Sequence, residues 1–216
     1  MDAQTKLAVS LVIGPRTQGH AEALWNDFAQ RTDHRLPDLI TTDEYRVYGG
    51  AILKTYGRAK AHPRTGKPGR PRPPRLVPPK ALVYAMVHTL RRKGRVVQVT
   101  IRRVFGTARQ LARALTRSGV STHVNTSFVE RLNATVRQHN SRQARKVYTF
   151  SKAFAPHHAM SWFATAYDNF CRPHLGLRLQ EDGCWRVRTP AMAAGVSDHV
   201  WSLRDFMRYP MADIYL

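Results

Sequence analysis

The sequence has few of the features that identify secreted or membrane proteins. Only two cysteines occur in 216 residues, Cys171 and Cys184, which are too few for a disulfide framework and are typical of reduced thiols. No run of about eighteen apolar residues exists, so we expect no membrane-spanning helix. Residues 1–6 have no apolar stretch behind a basic start, which argues against a signal peptide. These absences predict a cytoplasmic protein with no membrane partner.

Acidic residues are also scarce. Lys and Arg number 35 against 14 Asp and Glu, which gives a formal net charge of +21. No acid lies between Glu44 and Glu130, whereas that stretch carries Arg46 and eighteen further Lys or Arg. Such an excess attracts polyanions, because neutralising phosphates releases condensed counterions. The charge therefore favours a nucleic-acid partner, with a ribosomal or membrane-surface protein as the alternative.

The apolar pattern predicts an α/β core. Residues 7–14 form a β-rich run that ends at Gly14, and we expect a strand there. Apolar residues at helical spacing predict a helix over 20–32, and residues 38–43 are typical of a buried strand with Asp43 at its C-terminal tip. A short helix over 45–56 completes an alternating order that favours a partly parallel sheet.

Residues 57–80 interrupt this core. Seven prolines with interleaved basic residues predict an extended linker or arm, because proline donates no backbone hydrogen bond. Within it, Gly69-Arg70-Pro71-Arg72 resembles the core of an AT-hook, which lays arginines into the minor groove of A·T-rich DNA. Arg70 and Arg72 are therefore candidate DNA contacts, and a plain basic linker is the alternative.

A β-hairpin with a basic tip is predicted next. Two β-rich runs, 81–89 and 95–104, flank Arg91-Arg92-Lys93-Gly94. We expect Arg91, Arg92 and Lys93 to contact phosphates. The apolar side of the hairpin consists of Val96, Val97, Val99 and Ile101.

Helices are predicted over most of the remaining chain. A basic helix over 108–117 ends before Gly119, and a second helix covers about 126–145. An aromatic-rich helix follows over 150–170, and a C-terminal helix over about 198–207. The helical spacing of Trp162, Phe163 and Tyr167 predicts core residues.

The acid-free stretch is bracketed by Asp43-Glu44 on one side and by Glu130 on the other. Asp43 follows an apolar strand, so it is either a metal ligand at a strand tip or the N-cap of the next helix. Glu130 completes the capping-box pattern that begins at Ser127, so it is either a ligand on a helix wall or part of that cap. Spacing alone leaves both alternatives open.

Four stretches, in order along the chain, resemble blocks of one family of DDE transposases, the bacterial insertion-element transposases related to the first-described insertion sequence. The stretches are residues 41–48 with Asp43, residues 125–133 with Glu130, the block Tyr167-Asp168-Asn169-Phe170-Cys171-Arg172-Pro173-His174, and residues 189–203. The resemblance implies a ribonuclease H-like fold, a Mg²⁺ or Mn²⁺ cofactor, and cut-and-join chemistry on double-stranded DNA by a homo-oligomer. A protein that acts on chromosomal DNA is expected in the cytoplasm, associated with the nucleoid.

By this resemblance Asp43 and Glu130 are catalytic metal ligands. Asn133 lies one helical turn beyond Glu130, where it would position a ligand or a phosphate, and Arg131 is a further candidate DNA contact. In this family the first Asp lies on an earlier strand, so Asp2 is a poor candidate for it. The resemblance thus implies that the leading strands are missing and that the chain alone is catalytically inactive.

These expectations divide the chain into four segments. They are a partial ribonuclease H-like core over 1–56, the basic arm over 57–80, the hairpin and Glu130-bearing helix over 81–149, and a helical region over 150–216. A non-catalytic basic DNA-binding protein is the alternative function.

A zinc site at Cys171, His174 and Cys184 is less favoured than simple packing, because three scattered ligands leave an incomplete shell. His174 has two open roles: it contacts DNA or supports the active-site helix, or it is a packing residue.

Overall fold

The computed structural model describes residues 1–62, 72–143 and 148–209, and it divides the chain into two compact units. We call Val12–Thr126 the core unit, and Met1–Leu11 together with Ser127–Leu216 the terminal unit. The predicted segments 1–56 and 81–149 are each shared between the two units. No helix in the described part of the chain is both long and apolar enough to cross a membrane.

The core unit contains a mixed sheet of three strands with three helices. Its elements in chain order are α1 (Gln18–Arg31), β1 (Ile40–Asp43), α2 (Val47–Tyr56), β2 (Arg58–Lys60), β3 (Arg75–Val77), β4 (Tyr84–Arg92), β5 (Arg95–Phe105) and α3 (Ala108–Ser118). β1 pairs in parallel with β4, and β4 pairs antiparallel with β5, so the strand order is β1-β4-β5. The predicted α/β class and partly parallel sheet are confirmed.

Local sequence accounts for where these helices begin and end. The Thr17 side chain accepts a hydrogen bond from the His20 N–H at 3.3 Å and so caps α1. Thr107 and Gln110 form a complete capping box at the start of α3, and Gly119 ends that helix in the left-handed conformation. The helices predicted over 20–32, 45–56 and 108–117 are therefore confirmed.

Helices cover both faces of β4 near the centre of the sheet. One face carries the buried cluster Ile40, Ile52, Leu82, Tyr84 and Met86, against which Trp25 of α1 and Tyr48 of α2 pack. On the other face, Ala85, Val87 and Val124 pack against Leu111 and Leu115 of α3. Because both faces are buried, the chain from Leu82 to Val87 is continuously apolar rather than alternating.

The predicted strand over residues 7–14 is wrong. The side-chain amide of Asn169 replaces a neighbouring strand at Ala8: its Oδ1 accepts from the Ala8 N–H at 3.0 Å, and its Nδ2 donates to the Ala8 carbonyl at 3.0 Å. A β-rich run becomes a strand only when another strand supplies such hydrogen bonds, and a distant side chain supplies them here.

The two ends of the proline-rich segment are paired to each other. β2 and β3 form a short antiparallel ladder from the pair Arg58–Val77 to the pair Lys60–Arg75. The seven prolines fall outside these two strands, which leaves every residue of both strands able to donate a backbone hydrogen bond. The predicted extended arm therefore has a β-ladder at its base. Residues 63–71, which include Gly69, Arg70 and Pro71 of the AT-hook-like motif, lie outside the described residues, and Arg72 is exposed.

The predicted hairpin is confirmed as β4 and β5. Lys93 and Gly94 form its two-residue turn with φ of 49° and 78°, which is the type I′ geometry that suits the strand twist. The apolar side chains of the outer part of β5, from Val96 to Ile101, are exposed. Val96, Val97, Val99 and Ile101 are 45–57% exposed.

The terminal unit is mainly helical. Its elements are α4 (Ser127–His139), α5 (Phe154–Phe170), β6 (Leu179–Glu181), β7 (Cys184–Arg186), α6 (Pro190–Ala193) and α7 (Leu203–Arg208), with short 3₁₀ turns at Ser141–Gln143 and Leu175–Leu177. The helices predicted over about 126–145, 150–170 and 198–207 are confirmed in part as α4, α5 and α7; residues 144–147 lie outside the described residues. The small β6–β7 hairpin was not predicted, although the Asp182-Gly183 turn between β-prone residues indicates one.

The buried face of α5 is largely polar. Ser161, Thr165, Asp168 and Asn169 are buried there together with Ala164, whereas Trp162, Phe163 and Tyr167 are only half-buried. The prediction that these three aromatic residues lie in the core is therefore wrong. Hydrogen-bonded polar residues occupy the most deeply buried positions of α5 instead.

Candidate nucleic-acid interface

Asp43 is the last residue of β1, and its side chain is 57% exposed. Its Oδ2 accepts a hydrogen bond from Arg16 Nη2 at 3.2 Å. The Arg16 guanidinium also lies 4.4 Å from the centre of the Tyr45 ring. Asp43 does not cap α2, because that helix begins at Val47 after Arg46, which makes no side-chain capping bond. The carboxylate is thus presented to solvent by a strand end and paired with one cation.

Further polar residues lie beside Asp43, and sequence reasoning missed them. Val87 of β4 is opposite Asp43 in the parallel ladder, and the next residue, His88, hydrogen-bonds through Nδ1 to Glu44 Oε2. Two adjacent acids at the end of a strand, followed by a strand with a histidine, are visible in the sequence. What brings Glu44 and His88 together is the parallel register, which only the fold determines.

A buried hydrogen bond supports this strand end from the protein interior. The Tyr84 hydroxyl and Thr42 Oγ1 are 2.8 Å apart, and the Thr42 hydroxyl also donates to the Asp43 carbonyl at 2.7 Å. Tyr84 therefore donates to Thr42. Burial raises the pKa of Tyr84 to about 12, assisted by the negative charge of Asp43.

Glu130 belongs to the other unit. Its side chain lies on the first turn of α4 and is exposed. Arg131 and Asn133 are exposed as well, and Asn133 lies on the same side of the helix as Glu130. Whether Glu130 also completes a capping box stays a prediction.

Asp43 and Glu130 supply the hard oxygen donors that Mg²⁺ prefers. Within residues 1–62, 72–143 and 148–209, however, no three His, Cys, Asp or Glu side chains are grouped so that they could hold a metal ion. The carboxylate oxygens of Asp43 and Glu130 are thus the kind of ligand that Mg²⁺ prefers, but the described residues do not provide three such ligands at one place.

Asp2 is occupied within its own turn. Its Oδ2 accepts from the Thr5 N–H at 2.9 Å and its Oδ1 from the Gln4 N–H at 3.4 Å. Burial acts to raise the pKa of Asp2, but these hydrogen bonds, together with one from the Thr5 hydroxyl, hold it below its ordinary value.

The hairpin formed by β4 and β5 carries a dense basic surface. Six exposed cations lie on it: Arg91, Arg92, Lys93, Arg95, Arg102 and Arg103. No carboxylate of the described residues forms an ion pair with any of them. A surface with so many uncompensated positive charges attracts phosphates strongly at low salt.

Helix α3 adds a second row of cations. Arg109, Arg113 and Arg117 recur every four residues, so they lie along one side of the helix, and all three are exposed. Arg117 forms a loose ion pair with Asp38 at 3.7 Å. The helix packs on the sheet through its opposite side, where Leu111 and Leu115 lie.

A smaller group of cations lies in the terminal unit. Half-burial lowers the pKa of His174, and the positive charges of Lys6, Arg172 and Arg131 lower it further. His174 Nδ1 accepts from the Gly176 N–H at 3.1 Å, so the neutral ring keeps its proton on Nε2. His174 is thus both packed and close to cations, and its two predicted roles are compatible.

The block around His174 also has an architectural role. Asp168 is buried, and its Oδ1 accepts from Arg172 Nη1 at 3.2 Å and lies 3.1 Å from His139 Nδ1. Asn169 holds Ala8, as described above. These residues therefore join α4, α5 and the N-terminal segment, whatever else they do.

The two cysteines are free. Cys171 is buried, with its Sγ 4.0 Å from the Ser202 carbonyl, and Cys184 is exposed. Together with His174 they do not form a metal-binding group. The structure agrees with simple packing for Cys171.

Comparison of the chain with protein-family models, with curated proteins and with solved structures found no match.

Proposed function

We propose that the chain is a DNA transposase of the DDE type that binds double-stranded DNA through its core unit. The observation that carries the DNA-binding part is the basic hairpin surface, whose six cations have no ion-pair partner among the described residues. The row Arg109, Arg113 and Arg117 on α3 extends the charge. Phosphate binding is the interaction that such a surface favours most.

The transposase part rests on the ordered motifs and on the position of Asp43. A ribonuclease H-like fold is our proposal for the core unit, supported by the parallel pair β1–β4 and by a carboxylate at the tip of β1. By the resemblance, Asp43 and Glu130 are each proposed as a carboxylate ligand of Mg²⁺ or Mn²⁺, an ion that would supply charge neutralisation at phosphorus and activation of an oxygen nucleophile. The active form would be a homo-oligomer.

Arg16 has a defined part in this proposal. Its guanidinium occupies one oxygen of Asp43, so Asp43 can give both oxygens to a cation only if Arg16 moves. The pair is exposed on both sides, which makes its separation inexpensive.

Metal-dependent nicking of supercoiled plasmid DNA tests the enzymatic proposal. The resemblance predicts that the chain alone is inactive, so we expect at most slow nicking in Mn²⁺, because two carboxylates bind a metal weakly. Asp43→Asn and Glu130→Gln should each abolish nicking without weakening DNA binding by more than about twofold, since neither carboxylate attracts phosphate. Asp38→Asn is the matched control, because Asp38 is an exposed acid two residues before β1.

Two results would contradict the proposal. One is a wild-type chain that does not bind double-stranded DNA. The other is nicking that survives in Asp43→Asn or Glu130→Gln as it does in Asp38→Asn.

A non-catalytic DNA-binding protein is the second candidate. The ion pair between Arg16 and Asp43 favours it, because it gives Asp43 a structural role that needs no metal. In that case Asp43→Asn would change stability slightly and nothing else. The nicking assay separates the two candidates.

A further inference from the structure

The outer half of the β4–β5 hairpin projects beyond the helices that cover the sheet. We call residues 88–101 the distal ribbon. The residues of β4 are buried up to Val87, whereas Thr89 to Arg92 and the whole of β5 up to Arg103 are exposed. From His88 the strand extends about 15 Å to the tip, at roughly 3.3 Å per residue. A two-stranded ribbon that leaves the protein core in this way has both faces available for contact.

The two faces of the distal ribbon differ in chemistry. Cross-strand partners share a face, and the pairs Val87–Ile101 and Thr89–Val99 place an apolar row on one of them. A register shift between Leu90 and Arg91 leaves Val97 without a partner in the ladder and brings Val96, opposite Arg91, to the same face. The opposite face carries the pairs His88–Thr100, Leu90–Gln98 and Arg92–Arg95, which are mostly polar or charged. Val96 and Val99, 50% and 57% exposed, therefore form an uncovered apolar stripe with Ile101.

The surroundings of this stripe indicate what covers it. Arg91, Arg92, Lys93 and Arg95 surround its outer end. Helix α3 packs on the same face of the sheet, against Ala85 and Val87, and presents its row of arginines to solvent. A second copy of the chain would bring the same cations against these. The positive charge of the hairpin tip and of α3 instead complements a polyanion that also exposes apolar groups.

We propose that the distal ribbon inserts into the major groove of double-stranded DNA, with Val96, Val99 and Ile101 against the base edges. This inference rests on the proposed DNA binding and adds the mode of recognition. The major groove is about 12 Å wide and admits a two-stranded ribbon, and it exposes the thymine methyl groups that apolar side chains contact. The arginines of the tip and of α3 bind the phosphates along the groove edges.

Insertion into the groove and binding to phosphates alone predict different effects of a valine substitution. Phosphate contacts are lost with rising salt, whereas contacts between valines and thymine methyl groups are nearly independent of salt. If the valines touch bases, replacing them lowers affinity by the same factor at every salt concentration. If only phosphates are bound, the valines do not matter.

The test compares Val96→Thr/Val99→Thr with the wild-type chain. Threonine keeps the β-branched shape and suits an exposed strand, so the ribbon should be retained. We expect the dissociation constant for a duplex of mixed sequence to rise about tenfold, through the lost apolar contacts, with an unchanged salt slope. Val196→Thr is the matched control, since Val196 is 60% exposed in the terminal unit. Thermal unfolding and circular dichroism verify that the variants fold.

Two probes on the DNA side identify the groove. We expect the bound chain to protect guanine N7, which lies in the major groove, from methylation by dimethyl sulfate. Replacing thymine by uracil removes the methyl groups, and it should weaken binding of the wild-type chain but not of the double variant.

Each alternative outcome has a defined meaning. If the wild-type chain does not bind DNA, the proposed function fails together with this inference. If it binds DNA but the double variant binds equally well, or guanine N7 is not protected, only the groove insertion is refuted. If the double substitution converts a dimer into a monomer in sedimentation velocity, the stripe is a self-association surface and the inference is wrong.

Discussion

At the scale of single residues, Tyr84 and its hydrogen bond connect the apolar core to the strand end that carries Asp43. The hydroxyl is buried in the core unit and donates to Thr42, the residue before Asp43. A buried hydroxyl with one partner is stabilising only in its neutral form. Because the pKa of Tyr84 is raised in the folded chain, the stability of this unit decreases as the pH rises above 10.

We predict that Tyr84→Phe lowers the free energy of unfolding by about 1 kcal/mol at pH 7, through the lost hydrogen bond. In the wild-type chain, the contribution of Tyr84 is complete below pH 10, the ordinary pKa, and is lost as pH rises from 10 to about 12. The variant should lose less stability across that window. Urea unfolding at pH 7, 10 and 11 measures both effects. Tyr148→Phe is the control, because Tyr148 is fully exposed; an equal loss in both variants would refute the role of the hydrogen bond.

His174 gives a second prediction that depends on pH. Its pKa lies below 6.5 in the folded chain, because half-burial and the charges of Lys6, Arg172 and Arg131 disfavour the imidazolium. Its neutral state thus favours folding above pH 6.5, and stability is lost as pH falls from 6.5 through the folded pKa. His174→Gln should make the unfolding free energy less dependent on pH in this window.

An NMR titration of the His174 ring protons measures that pKa directly. Lys6→Gln should raise it, because one of the neighbouring positive charges is removed. A wild-type pKa at or above 6.5, or no response to Lys6→Gln, would contradict the arrangement of cations around His174.

At the scale of secondary-structure elements, the hairpin tip is where we expect charge to affect the proposed DNA binding most. We predict that Arg91→Gln/Arg92→Gln/Lys93→Gln weakens binding and reduces the slope of log K against log salt. The expected reduction is about 0.9 for each phosphate contact that is lost. Fluorescence anisotropy between 50 and about 300 mM salt gives this slope.

Arg31→Gln is the control for the tip variant, because Arg31 is paired with Asp27 on α1 and should contribute little to phosphate binding. A tip variant that binds weakly with the wild-type slope would show that the three residues act through folding rather than through phosphate contacts. The tip and the valine stripe thus give separable results, one in the salt slope and one in the affinity at every salt concentration.

Elements whose local chemistry is strong were predictable. The hairpin follows from two β-rich runs around a turn whose Gly94 accepts a positive φ, and α3 from its capping residues and Gly119. Residues 7–14 have the same local preference as a strand but form none, since Asn169 satisfies Ala8 from 161 positions away. Local preference is insufficient where the partner is distant in sequence.

At the scale of the whole molecule, charge and architecture are distributed unequally over the two units. The acid-free stretch falls almost entirely within the core unit, which also carries the parallel strand pair and Asp43. The terminal unit carries Glu130. Hydrogen bonds of Asp168 and Asn169 connect residues within this unit. Motif residues that sequence reasoning connects to function thus also hold one unit together.

The sequence by itself determined the net charge, the acid-free stretch, the helices with their caps, and the placement of Asp43 after an apolar strand. These depend on composition and on neighbours within a few residues, which any conformation of the chain retains. Tertiary structure alone decided that β1 pairs with β4 in parallel, that Arg16 binds Asp43, and that Val96 and Val99 lie uncovered. Those features are contacts, or the lack of cover, between residues far apart in sequence, and only packing into a common core selects among the many contacts that the same local preferences allow.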